Sequence, residues 1–191
     1  MKRELCASLV SVGLVAASSA LAPRPALAQG AETFTATASV KGPQGLVTAP
    51  VTVVVNRLLT DAERQTVVAA LKSNGTAGVR DTLAKMPAIG YIEVGGQKDD
   101  IQYAYARSTG DGRLVTVVSG KPILHMGSKL PGAKPKTGYD LAFALLIVPG
   151  SGKGSGELGP AVKVKMGPQG EVVTEDYASE VVTLSDVEKQ K

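Results

Sequence analysis

The sequence predicts one α+β domain: a predominantly antiparallel β-sheet or open barrel of about seven to nine strands, with a two-helix hairpin inserted after the second strand. Three observations predict it. Segments of alternating apolar and polar residues recur along the chain, short Gly-containing turns separate several of them, and the run 139–148 is apolar on both alternating sets. Alternation is typical of half-buried strands, short connections force antiparallel neighbours, and a strand that is apolar on both sides belongs inside a sheet.

The predicted strands, in chain order, are 34–40, 51–55, 89–95, 101–108, 113–118, 139–148, 162–166 and 171–184, the last counted as one strand or two. A helix is the competing interpretation for 139–148, because Leu and Ala favour helices. Pro149 and the Gly-rich segment 150–156, expected to be flexible, favour a strand that ends there.

The predicted helices lie between the second and third strands. Thr60 and Glu63 have the spacing of a capping box, in which the hydroxyl accepts from one amide and the carboxylate from the other. Asn74-Gly75 is expected to end that helix, and a second helix is expected from Thr76 to the residue before Pro87. Two helices joined by so tight a turn form a hairpin, which is expected to lie on the sheet.

The N-terminal segment 1–28 has the pattern of a bacterial secretory signal peptide. Lys2 and Arg3 precede an almost uncharged stretch, 5–22, which leads to the small-residue sequence Ala26-Leu27-Ala28. We expect cleavage after Ala28 and a mature protein that is periplasmic or secreted.

Two alternatives to this cleavage stay open. Cleavage after Ala22 would leave Pro23 behind the cut, which makes a poorer site. The apolar stretch is also close to the ~20 residues that span a bilayer. Its many Ala and Ser residues favour removal, so we expect no retained membrane anchor. The rest of the chain divides into one globular β-rich domain, 29–185, and a frayed C-terminal tail, 186–191.

The mature chain is expected to lack disulfides, because the one cysteine, Cys6, lies within the signal peptide. The signal also holds Lys2, Arg3, Arg24 and Glu4, so its removal reduces 21 basic and 17 acidic residues to 18 and 16, a net charge of +2. A surface so nearly balanced gives no reason to expect nucleic acid or an anionic membrane as a partner.

Motifs for catalysis, metals and cofactors are not found in the sequence. His125 is the one histidine, which excludes zinc sites built from several His or Cys ligands, and no Gly-x-Ser-x-Gly elbow supports a serine nucleophile. The Gly-rich segment 150–156 is not a phosphate-binding loop, because Lys153 is followed by Gly154 and the first Gly of that motif is replaced by Ile147. We therefore predict no catalytic residue, metal or cofactor.

The predicted strand register brings one set of polar and aromatic side chains together. If Gly95 pairs with Ile101, Tyr91 lies opposite Tyr105 and Glu93 opposite Tyr103; if Thr109 pairs with Gly112, Tyr105 faces Thr116 and Tyr103 faces Val118. The candidate ligand- or partner-binding face then consists of Tyr91, Glu93, Tyr103, Tyr105, Arg107 and Thr116. The opposite face consists of Ile92, Val94, Ala104, Ala106, Val115 and Val117.

Tyr combines a large contact area with a polar tip, so this face is a candidate groove for a small molecule or a protein. The alternative is that the tyrosines pack on other elements or cover the sheet. We expect a non-catalytic, secreted or periplasmic binding or interaction module of unknown ligand. A hydrolase that uses carboxylates such as Glu93, Asp140 or Asp176 is the first alternative, and a structural envelope protein, marked by a long unpaired edge strand, is the second.

Overall fold

A computed structural model describes residues 30–42, 45–126, 130, 134, 136–178 and 181–191. The predicted signal peptide and its cleavage site lie outside these residues. The described elements are β1 (Glu32–Gly42), β2 (Gly45–Val55), α1 (Asp61–Leu83), β3 (Gly90–Val94), β4 (Gln97–Ile101), β5 (Tyr103–Thr109), β6 (Gly112–Ser119), β7 (Leu141–Pro149), β8 (Gly154–Met166), β9 (Val172–Tyr177) and β10 (Val182–Lys189).

The strands form one curled, antiparallel sheet, which confirms the predicted sheet in its coarse form. Their order is β4-β3-β2-β1-β10-β8-β7-β6-β5, and β9 pairs with β8 beside this path. The two end strands, β4 and β5, follow each other in the chain with only Gln102 between them. Gln102 interrupts the alternation and also bonds to β6, since its backbone N–H donates to the Val118 carbonyl at 3.1 Å. The sheet therefore curls far enough for its two end strands, β4 and β5, to be linked by a single residue.

Strand β7 lies inside the sheet, as the apolar run predicted. It pairs with β6 on one side and β8 on the other, both antiparallel. Residues 141–144, Leu146 and Val148 are buried, whereas Ile147 is 44% exposed. Both faces of β7 are thus covered over its first half, and one face opens towards its end.

The hairpin of β5 and β6 has the predicted register. Thr109 pairs with Gly112, Tyr105 with Thr116, and Tyr103 with Val118. The predicted pairing of β3 with β5 is wrong. Segment 96–100, expected to be a loop, instead includes the start of strand β4, at Gln97. Gly95 and Gly96 make the turn with positive φ, and Tyr91 pairs with Asp100. Two glycines permit this tighter turn, so the polar residues that follow begin a strand instead of a loop.

Helix α1 begins with the predicted capping box. The Glu63 N–H donates to the Thr60 hydroxyl at 3.3 Å, and the Thr60 N–H donates to the Glu63 carboxylate at 2.8 Å. The predicted two-helix hairpin is wrong, because one helix runs from Asp61 to Leu83. Within it, the backbone φ and ψ angles are non-helical at Asn74 and Gly75, which kink the helix, and the helix continues from Thr76. A side chain at Gly78 would collide with the Ala70 carbonyl, so this bare position lets the two parts pack closely across the kink.

The last strands close the sheet and cross one of its faces. The expected flexible segment 150–156 is a short turn, because β8 already begins at Gly154 and pairs there with β10. Strand β8 pairs with β7 and β10 over its first part and with β9 over its second. Strand β10 includes residues 186–189, which the sequence assigned to a frayed tail. Gln190 is held as well, since its backbone N–H donates to the Thr33 carbonyl at 2.8 Å.

Candidate functional site

The hairpin of β8 and β9 lies over the face of β5 to β8 that carries Tyr105 and Thr116, and a cavity of about 190 Å³ lies between them. The sheet supplies Tyr105, Arg107, Leu114, Thr116, Phe143, Leu145 and Glu157. The hairpin supplies Glu171, Val173, Thr174 and Tyr177.

Two contacts fix β9 and its turn over the sheet. The Tyr177 ring lies against Gly159, where a side chain would come within 2.8 Å of it, and the Tyr177 hydroxyl donates to Glu157 at 2.8 Å. At the turn, the Arg107 guanidinium donates to the Gln169 side-chain oxygen at 2.7 Å. The first contact joins the end of β9 to the first part of β8, and the second joins the turn to β5. Specific side chains therefore hold β9 and its turn over the cavity.

The turn of this hairpin positions one acidic side chain. The Gly167 N–H donates to the Glu171 carbonyl at 2.8 Å, and the Gln169 N–H donates to the Glu171 carboxylate at 2.9 Å. A side chain at Gly167 would lie within 2.6 Å of that carboxylate. Glycine at position 167 thus leaves room for the Glu171 side chain to fold back over the turn, and Glu171, 9% exposed, lines the cavity.

Three of the six residues of the predicted binding face line the cavity: Tyr105, Arg107 and Thr116. Tyr103 lies on the same side of β5 but is fully buried in the core, so it cannot offer contact surface. Tyr91 and Glu93 lie on β3, at the other end of the sheet order, where Lys98 contacts both. Their separation from the others follows from the extra strand β4.

Buried polar atoms without a hydrogen-bond partner are concentrated at this cavity. Among the described residues they are Arg64 Nε, the Tyr103 hydroxyl and the Thr174 hydroxyl. Thr174 lines the cavity, where its hydroxyl is close enough to Tyr177 to affect the pKa of that residue without reaching hydrogen-bonding geometry. The Arg64 guanidinium lies 5.2 Å from the centre of the lining Tyr105 ring.

Tyr103 lies beside the cavity as well. Its hydroxyl is near the Val172 amide without reaching hydrogen-bonding geometry, and the charge of Glu171 is close enough to affect its pKa. Burial raises the pKa of Tyr103 to about 12, so the hydroxyl stays protonated at neutral pH. Buried polar groups normally have partners, so three exceptions around one cavity need an explanation.

The carboxylates named for a hydrolase do not line the cavity. Glu93 pairs with Lys98 at 3.4 Å and Asp140 with Arg80 at 3.2 Å. The hydrogen bonds from the Tyr139 hydroxyl and from a backbone amide lower the pKa of Asp176. Each is thus held by a local partner, and the three lie on different elements. The described residues contain no group of three or more His, Cys, Asp or Glu side chains placed to hold a metal.

Sequence reasoning missed the part of the site that lies on β8 and β9, above all Glu157, Glu171, Thr174 and Tyr177. One signal was available: Gly156 and Gly159 flank Glu157 within a strand, and glycine in a strand interior often marks a close approach by another element. It did not show which element approaches.

No protein-family model matches the chain, and no curated protein or solved structure is significantly similar to it. Within the described part of the chain, no helix has the length and apolar character needed to cross a membrane. The candidate function therefore rests on the geometry of the cavity.

Proposed function

We propose that the protein is an exported, non-catalytic binding module that holds a small molecule in the cavity beneath β9. One observation carries the proposal: the three buried side-chain polar atoms that lack a hydrogen-bond partner among the described residues lie in or near this cavity. The Thr174 hydroxyl belongs to the lining, and Tyr103 is close to the lining residue Glu171. The Arg64 guanidinium, whose Nε is 3.8 Å from Asp61, lies over the lining Tyr105 ring. Leaving a buried polar group unpaired costs about 1–3 kcal/mol. Such a cost is typical of sites that are completed by something bound.

The lining supports a binding role. It combines aliphatic and aromatic side chains with a few polar groups at fixed positions, which is the composition of small-molecule pockets in general. Its volume of about 190 Å³ can be compared with the ~150 Å³ of an apolar protein cavity that takes up benzene. The size thus suits one ring or a short branched chain with a polar substituent.

The proposal is tested by filling the cavity. Leu145→Trp places a large ring inside it, whereas Ile147→Trp places the same ring two residues along β7 at a position that is 44% exposed and outside the lining. The wild-type chain, residues 1–191, and the two variants are produced with the predicted signal peptide in place, and each exported protein is purified in parallel from the periplasm or culture medium. Molecules released on denaturation are then identified by mass spectrometry.

We expect a small molecule that co-purifies with the wild type and with Ile147→Trp and is absent from Leu145→Trp. Extracts that are the same for all three proteins would contradict the proposal. The predicted localisation is tested separately: each protein should be found in the exported fraction with residues 1–28 removed.

A further inference from the structure

We infer that the ligand is a small organic cation, a protonated amine attached to an apolar body of about one ring; this rests on the proposed binding function. The cavity lining contains two carboxylates, Glu157 and Glu171, and one basic side chain, Arg107. Among the described residues, neither carboxylate has a basic group within 4 Å, since neither forms an ion pair.

Both carboxylates keep acceptor capacity for a ligand. The hydrogen bonds found for Glu157 and Glu171 in the described chain are one from the Tyr177 hydroxyl and one from the Gln169 backbone N–H. A carboxylate has about four acceptor positions, so most of them stay free. The other buried or half-buried acids of the described chain each have a basic partner within 4 Å: Glu32, Glu63, Glu93, Asp99, Asp140 and Glu188. The remaining described acids without such a partner, such as Asp111 and Glu175, are exposed.

Arg107 forms no ion pair with either acid in the described chain. Its Nη1 instead donates to the side-chain oxygen of Gln169 at 2.7 Å. The residues that line the cavity thus have a formal charge of −1 at neutral pH. The nearby Arg64 guanidinium forms an ion pair with Asp61 at 3.8 Å, so its charge is offset and the lining favours a cation over an anion.

Three aromatic rings complete the cation site, those of Tyr105, Phe143 and Tyr177. The faces of aromatic rings attract ammonium groups, an interaction worth about 0.5–2 kcal/mol. The protein already uses it nearby, since the Arg64 guanidinium lies over Tyr105. The aliphatic side chains of Leu114, Leu145 and Val173 would contact the apolar body.

The test uses benzylamine, benzyl alcohol and benzoate, which share one ring and differ in charge. Binding to the wild type is measured at pH 7 by isothermal titration calorimetry and by NMR shifts. We expect benzylamine to bind at least about tenfold more tightly than either of the others, since one ion pair in a partly desolvated site is worth about 1.4 kcal/mol or more. Leu145→Trp should abolish its binding.

The charge dependence is tested with the double variant Glu157→Gln/Glu171→Gln, which keeps both hydrogen-bond acceptors. It should lower benzylamine affinity about tenfold, to that of benzyl alcohol, and leave benzyl alcohol unchanged. Glu175→Gln is the matched control, because Glu175 is an exposed residue of β9 outside the lining.

The other outcomes separate the two proposals. If benzyl alcohol binds as tightly as benzylamine, or if benzoate binds best and Arg107→Gln weakens it, the cation inference is overturned while the binding module stands. If none of the three probes binds, or if Leu145→Trp binds them as the wild type does, the cation inference fails. The binding module fails with it only if the co-purified extracts of the wild type, Leu145→Trp and Ile147→Trp are also the same.

Discussion

Two adjacent residues of β6, Arg113 and Leu114, belong to two regions that differ in whether their carboxylates have basic partners. Arg113 points to a carboxylate at the start of β1: it donates two hydrogen bonds to Glu32, at 2.9 and 2.6 Å, and Lys189 of β10 donates a third at 2.7 Å. Leu114 lines the cavity, where Glu157 and Glu171 have no basic partner among the described residues. The acid of the first region is fully satisfied, and the acids of the second are not.

We propose that this difference separates a structural cluster from a functional site. The Glu32 cluster joins three strands, and burial, which raises the pKa of Glu32, is outweighed by the hydrogen bonds from Arg113 and Lys189, which lower it overall. Its geometry is complete within the chain. Among the described residues, the acids of the cavity have no basic partner within 4 Å and two hydroxyls in or beside it have no hydrogen-bond partner, and such local costs are typical of functional sites.

The largest expected change in the free energy of unfolding is at the cluster of Glu32, Arg113 and Lys189. Glu32→Gln should lower the free energy of unfolding by about 2 kcal/mol, because it leaves Arg113 and Lys189 without a charged acceptor. Urea unfolding at pH 7 measures it. Glu188→Gln on β10 is the control. The Glu188 side chain is 44% exposed and its ion pair with Lys153 is long, 4.0 Å, so this substitution should change the free energy of unfolding by less than about 0.5 kcal/mol. Equal effects of the two substitutions would remove the structural side of the comparison.

The next effect is at the start of α1. The hydrogen bond from Arg57, together with that from the Thr60 backbone, lowers the pKa of Glu63 from 4.5 to about 2. A pKa that is lower in the folded state means that ionised Glu63 stabilises the fold above pH 4.5, and that this stabilisation is lost as the pH falls through about 2. Glu63→Gln should therefore cost about 1 kcal/mol at pH 7 and almost nothing at pH 2. Urea unfolding of both proteins at the two pH values checks this; a cost that is independent of pH would show that charge has no part in it.

A smaller effect is expected at Tyr103, beside the cavity. Its hydroxyl is buried and makes no hydrogen bond with the described residues, so Tyr103→Phe should leave stability unchanged or raise it by up to about 1 kcal/mol. Tyr139→Phe removes a hydroxyl that donates to Asp176, and it should cost about 1 kcal/mol. Thermal unfolding of the two variants gives the comparison. A loss at Tyr103 as large as that at Tyr139 would mean that its hydroxyl already serves the fold.

Much of the fold could be predicted from local patterns. The alternation around Tyr105, the double apolar set of β7 and the Thr60–Glu63 spacing each depend on neighbouring residues, and each has its expected register, position or cap. The errors arose where local signals allow two outcomes. Gly95-Gly96 can end a strand before a loop or make a two-residue hairpin turn, and Asn74-Gly75 can end a helix or only kink it. Tertiary packing decides between them.

Only the part of the candidate site that lies on β5 and β6 could be predicted from the sequence. Register places Tyr105, Arg107 and Thr116 on one face, because side chains alternate along paired strands. The half on β9 depends on where a hairpin folds after it has formed, which is fixed by long-range contacts such as Tyr177 against Gly159 and Arg107 with Gln169. No local pattern encodes contacts between residues that are so far apart in the chain.

The central claim is that the acids of the cavity serve a ligand and not the fold. Urea unfolding of Glu157→Gln/Glu171→Gln without ligand tests it most directly, since this change keeps shape and hydrogen-bond acceptors and removes only charge. We predict a free energy of unfolding equal to that of the wild type or higher by up to about 1 kcal/mol, with the same dependence on urea. A loss of about 1 kcal/mol or more would contradict the claim, because it would show that the two carboxylates stabilise the protein as Glu32 does.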